Sequence, residues 1–88
     1  MKGKQLRNKI LEVVEKEWPV SITEIARHLG LYKKSMDERK RKTAVAKVVY
    51  HVRKLEKEEK VRTKKIGQTI IIWPLEIEKL RLIHEMIR

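Results

Sequence analysis

Glycine and proline are so scarce in this chain that their positions dictate where its elements stop and start: beyond Gly3 there are only Pro19, Gly30, Gly67 and Pro74. Proline removes a backbone donor and glycine takes positive φ at no steric cost, so these four residues act as punctuation. Before the first of them, Leu6, Ile10, Val13, Val14 and Trp18 fall on one arc of a helix expected from about Lys4 to Glu17, with Leu11 at its edge. Pro19 stops that helix and leaves room for a residue or two of extended chain. Ser21-Ile22-Thr23-Glu24 is a capping box that opens a second helix, whose buried stripe is Ile22, Ile25, Ala26 and Leu29. Gly30 is placed to end it.

The next punctuation mark is Gly67, and most of the interval is helical in pattern. Val45, Val48, Val49, Val52 and Leu55 form an apolar stripe, and Lys40, Thr43, Lys47, Tyr50 and Lys54 fall on the other side of the same wheel. Two starts compete. Ser35-Met36-Asp37-Glu38 is a second capping box that would begin one long helix, whereas Thr43 would cap a shorter one. A break between Lys40 and Thr43 is the expectation adopted. Val61 to Ile66 and Thr69 to Trp73 then flank Gly67-Gln68, the Gly-X signal of a type II′ hairpin, and Pro74 opens a last helix from Leu75 to the end. The expected class is α+β and mostly helical: a three-helix core, a two-stranded hairpin and an added C-terminal helix, in a single domain over residues 1–88.

Charge narrows the choice of partner. The 88 residues carry a formal +11, and its distribution is uneven. Residues 1–32 hold six Lys/Arg against four acids, residues 33–65 fourteen against five, and residues 66–88 three of each. Self-repulsion on that scale weakens a compact state, and a polyanionic partner is the economical reading. Catalysis finds no footing, since there is no Ser, His and acid constellation, no phosphate-binding glycine loop and no carboxylate pair in an apolar setting. A non-enzyme without cofactor is expected. His28, His51 and His84 are far apart in sequence with no cysteine in the chain, so no metal site is expected and no disulfide exists. The absence of cysteine, of a signal-peptide pattern and of any apolar run longer than Ile70 to Leu75 gives the expectation of a cytoplasmic, nucleoid-associated protein with no membrane partner. Asn8, Gln5 and Gln68 are the only side-chain amides, a bias of proteins from hot environments.

The order of elements, together with Ser21-Ile22-Thr23-Glu24-Ile25-Ala26-Arg27-His28-Leu29-Gly30-Leu31 and His51-Val52-Arg53-Lys54-Leu55-Glu56-Lys57-Glu58, resembles the winged helix-turn-helix domain of small archaeal and prokaryotic transcriptional regulators. The resemblance covers roughly residues 5–73. It departs between Leu31 and Thr43, where the family connection is only a few residues and this one is about a dozen. The resemblance implies sequence-specific binding of double-stranded DNA, with the third helix in the major groove and the hairpin on the adjacent backbone or minor groove. On that reading Lys47, Lys54, Thr43 and Tyr50 meet phosphates or base edges and Ala46 meets a thymine methyl. Arg39, Lys40, Arg41 and Lys42 track the backbone, and Arg62, Lys64 and Lys65 charge the hairpin. An RNA-binding or ribosome-associated winged helix, and a non-specific chromatin or protein-interaction module, are the alternatives.

The last helix carries two apolar stripes at 100° per residue: Ile77, Leu80, Ile83 and Ile87 on one, Leu75, Leu82 and Met86 on the other. One is expected to cover the protomer's own core beside the first helix and the other to face a second copy. Leu11 and Trp18 are candidates to join that dimer interface. A two-fold dimer implies an inverted-repeat operator. Which stripe faces the partner stays open at this point.

Overall fold

The structure is a computed structural model that describes residues 3–87. Its elements follow the punctuation: α1 (Gly3–Glu17), β1 (Val20–Ser21), α2 (Ile22–His28), α3 (Glu38–Lys57), β2 (Val61–Ile66), β3 (Thr69–Pro74) and α4 (Leu75–Ile87). The architecture is α+β and mostly helical, with a small antiparallel sheet in the order β1-β3-β2. The sheet has three strands where two were expected. The short extended piece after Pro19 pairs with β3, Val20 opposite Ile72 and Ser21 opposite Ile71, which places Val20 in the core and ties the entry of α2 to the hairpin.

Local chemistry explains most boundaries. Ser21 Oγ accepts from the Glu24 N–H at 3.1 Å while Glu24 Oε1 accepts from the Ser21 N–H at 3.2 Å, so the capping box is complete in both directions. Gly30 takes φ of +71° just past α2, and the Leu31 N–H returns to the Ala26 carbonyl at 2.9 Å. At the hairpin tip Gly67 has φ of +62° and Gln68 stays out of the positive region, as a type II′ turn requires.

The third helix corrects the expectation of a break. It runs unbroken for 20 residues and its N-cap is Asp37, whose Oδ1 accepts from the Lys40 N–H at 2.8 Å. Ser35 is therefore not the cap. Thr43 lies inside the helix, where its hydroxyl donates to the Arg39 carbonyl at 3.0 Å. No glycine or proline interrupts residues 38–57, and an i,i+4 pair between Glu38 and Lys42 at 3.5 Å spans the first turn, so nothing local forces an end before Lys57.

The core joins Leu6, Ile10 and Val14 of α1, Ile22, Ile25 and Ala26 of α2, Val48, Val52 and Leu55 of α3, and Val20, Val61 and Ile72 of the sheet. Trp18 is not in it. The helix ends at Glu17, and the Trp18 side chain is 46% exposed. The C-terminal helix departs further from expectation. No residue of α4 is buried, and it packs on β2 and β3 rather than on α1. Glu78 fixes its orientation: one carboxylate oxygen accepts from Trp73 Nε1 at 3.0 Å and the other from Arg62 Nε at 3.2 Å. Beyond that clamp the helix extends off the body, and the molecule measures 51 × 29 × 20 Å. Among the described residues, no helix is long and apolar enough to cross a membrane.

Candidate nucleic-acid interface

Which side chains α3 offers depends on which face it buries. The valine stripe suggested a core-facing arc centred between Val48 and Val52. In the fold Ala44 and His51 are buried with Val48, Val52 and Leu55, while Val45 and Val49 are only half-buried. The buried arc is thereby rotated toward α1. The outermost line of the helix, about 180° from that arc, consists of Arg39, Ala46 and Arg53, all exposed. Lys40, Lys47 and Lys54 form a parallel row one residue on, about 100° round the helix toward the side of His51, which Arg7 of α1 reaches. Thr43 and Tyr50 lie between the two rows, and both are exposed. Tyr50 carries Lys54 Nζ over its ring at 5.6 Å and meets the His51 ring edge-on at 5.2 Å.

His51 is the buried polar residue on the α1 side. Its Nδ1 accepts from Arg7 Nε at 3.2 Å, which requires a neutral ring. Burial holds its pKa below the ordinary 6.5, and the positive charges of Arg7, Lys47 and Lys54 push the same way.

The hairpin adds charge on two opposite faces, as alternation along a strand dictates. Val61, Thr63 and Lys65 face α3, and Thr63 Oγ1 donates to Glu56 Oε2 at 2.7 Å. Lys65 and Arg53 line the same crevice of about 150 Å³ between α3 and the hairpin. Arg62 and Lys64 point to the other face, where Arg62 is held by Glu78. Of the expected site residues, the structure therefore brings Arg39, Lys40, Arg41, Lys42, Thr43, Lys47, Tyr50 and Lys54 onto one helix, with Lys65 beside it and Arg62 and Lys64 turned away.

Most of these cations are unpaired. Among the described residues no carboxylate lies within 4.0 Å of the charged groups of Arg39, Lys40, Lys47, Arg53, Lys54 or Lys65. Lys42 pairs with Glu38, but both side chains are about three-quarters exposed and the pair is weak. The residue that sequence reasoning missed is Arg53. The steps of seven from Arg39 through Ala46 to Arg53 were legible, but the position of Arg53 became clear only once Ala44 and His51 were known to be buried. Lys33 and Lys34, exposed in the connection before α3, add to the same basic segment. That connection also packs on the helix. Leu31 and Met36 line an open cavity of about 550 Å³ with Thr43, Ala44 and Lys47, and Arg27 sits over the Tyr32 ring at 5.4 Å.

The residues proposed for self-association divide by position. Leu11, Leu75 and Ile77 are half-buried, whereas Leu80, Leu82, Ile83, Met86 and Ile87 are between 51 and 77% exposed. Leu75 and Leu82 line a cleft of about 360 Å³ against Val61 and Glu56, so these two members of their stripe overlook the protomer's own body, while Met86 stays exposed. Of the other stripe, Ile77 is half-buried and Leu80, Ile83 and Ile87 are exposed. Among the described residues no group of three or more His, Asp or Glu side chains is placed to hold a metal ion. Comparisons with protein-family models, with curated proteins and with solved structures return no match.

Proposed function

We propose that this chain is a winged helix-turn-helix DNA-binding protein that acts as a dimeric transcriptional regulator. Its α3 enters the major groove of double-stranded DNA, and its hairpin lies over the adjacent backbone or minor groove. The observation that carries the reading is the concentration of unpaired cations on the exposed sides of α3, with Lys65 of the hairpin beside them. A helix about 30 Å long fits a groove roughly 12 Å wide, and phosphates of both strands then flank it. The antiparallel pairing of β1 with β3 supports the same reading, because it packs the hairpin against the helices that precede it. Dimerisation through the outer stripe of α4 is part of the proposal, since its Leu80, Ile83 and Ile87 are each more than half exposed in the protomer. Two copies related by a two-fold axis present their α3 helices to half-sites about 34 Å apart, which implies an inverted repeat.

The test is selection of bound sequences from a random duplex pool, with single-stranded DNA and structured RNA as competitors. Enrichment of an inverted repeat that neither competitor displaces is the expected result. Displacement by RNA at equal concentration would overturn the DNA reading, and binding of all duplexes alike would replace the regulator with a non-specific coating protein.

A further inference from the structure

We infer that base reading belongs to the outermost row of α3, Arg39, Ala46 and Arg53, and that the lysine row beside it, Lys40, Lys47 and Lys54, contacts only phosphates. The inference rests on the DNA-binding reading above and assigns its chemistry to particular side chains.

Three observations carry it. The first is direction. Burial of Ala44, Val48, His51, Val52 and Leu55 leaves Arg39, Ala46 and Arg53 on the line farthest from the core, so they are the first side chains to meet the floor of any groove the helix enters. The lysine row stands about 100° away, where the walls of a groove would be. Its middle and last members, Lys47 and Lys54, stand four residues before and three after His51 on the helix, on the side that Arg7 of α1 reaches.

The second observation is chemical type. A planar guanidinium donates two parallel hydrogen bonds to the O6 and N7 of guanine, whereas an ammonium is a compact point charge suited to a phosphate. The outer row has arginine at both ends and the flank has lysine at all three positions. Of the other described arginines, Arg7 is bonded to His51, Arg27 lies over Tyr32, Arg62 is held by Glu78 and Arg81 by Glu85, while Arg41 has no ion-pair partner but is half-buried in a cleft with Thr23 and Tyr32, off the outer row. Arg39 and Arg53 have no such partner among the described residues. Their forks are free to bind.

The third is shape. Ala46, midway between the two arginines, carries only a methyl, so the helix backbone can approach the base edges most closely there. A straight α-helix drifts about 20° per seven residues, and along this row the drift carries Arg53 toward the hairpin. That agrees with its place on the crevice it shares with Lys65. Fourteen residues rise about 21 Å, so Arg39 and Arg53 read guanines at positions up to about six base pairs apart in each half-site.

The experiment uses the full chain and keeps charge constant where reading is tested. Arg39→Lys and Arg53→Lys are made separately, beside Lys40→Ala and Lys47→Ala, and each is run through the random duplex selection and a salt titration. All four side chains are exposed, and circular dichroism confirms that each variant is folded. Each arginine variant should lose about tenfold in discrimination at one base position per half-site while its salt slope stays at the parent value. Each lysine variant should weaken all duplexes alike and reduce the slope by about one, with base preference unchanged. Unchanged preference in both arginine variants, or altered preference in either lysine variant, overturns the assignment. If the unmodified chain binds duplexes with a steep salt slope but no base preference, the reading row is refuted and DNA binding stands. If it does not bind duplex at all, the underlying function fails instead.

Discussion

His51 shows how one buried polar side chain alters the reading of a helix. It belongs to no apolar stripe, so the wheel drawn from valines alone places Lys47 and Tyr50 opposite the core. Its burial, with the hydrogen bond from Arg7, turns α3 so that Arg53 comes to the outermost line instead. The same residue makes stability depend on pH. In the unfolded chain the ring titrates near 6.5, and in the folded chain its pKa is lower because of burial and three neighbouring cations. The unfolded state therefore binds more protons between the two values, and stability falls as pH drops below about 6.5. Urea midpoints measured from pH 8 to pH 5 should be level at the upper end and decline below 6.5. A His51→Gln variant should show a shallower decline, and an identical one would mean that the acid sensitivity lies elsewhere.

Among the elements, α1, α2, the hairpin and α4 were legible because proline, glycine or a capping box marks each boundary in the sequence. The start of α3 was not. Ser35, Asp37 and Thr43 are all acceptable caps, and local preference alone does not choose among them. The choice is settled by Asp37, whose carboxylate reaches the Lys40 N–H, and by the Leu31 and Met36 side chains that pack beside the first turns. Asp37→Ala should cost about 1 kcal/mol and lower helix content, while Ser35→Ala should change stability by less than about 0.5 kcal/mol. Thermal unfolding followed by circular dichroism checks both, and the reverse order would restore the expectation of a shorter helix. The two turns at stake hold Arg39 to Lys42, so the Asp37 variant should also bind duplex DNA more weakly. β1 was missed as a sheet member for a related reason. Two extended residues carry no pattern of their own and become a strand only because Ile71 and Ile72 offer them an edge.

At the scale of the whole molecule, the two stripes of α4 were legible in the sequence and their orientation was not. Glu78 decides it, by accepting from Trp73 and Arg62 at once and so turning Leu75 and Leu82 toward the protomer's own body. Ile83 and Ile87 lie off that side of the helix and are 51% and 77% exposed, although Leu82 and Met86 are also exposed. The double variant Ile83→Glu/Ile87→Glu should be a folded monomer by sedimentation at tens of micromolar, with operator binding greatly weakened. Leu82→Glu/Met86→Glu should retain more of the dimer. A parent chain that is already monomeric at that concentration would remove the dimer and the inverted repeat together. The charge distribution belongs to this scale as well. Fourteen of the 23 basic residues lie between positions 33 and 65, and the fold concentrates the free ones on α3 with Lys65 beside it.

A cationic surface that binds a nucleic-acid duplex does so by displacing its counterions, so the proposed function is checked by the salt dependence of duplex affinity. With about eight to twelve phosphates neutralised per dimer, a plot of log affinity against log salt concentration should fall with a slope on the order of −7 to −11. A slope near zero would contradict the account at its root, because a surface that neutralises no phosphates binds no duplex in the way proposed.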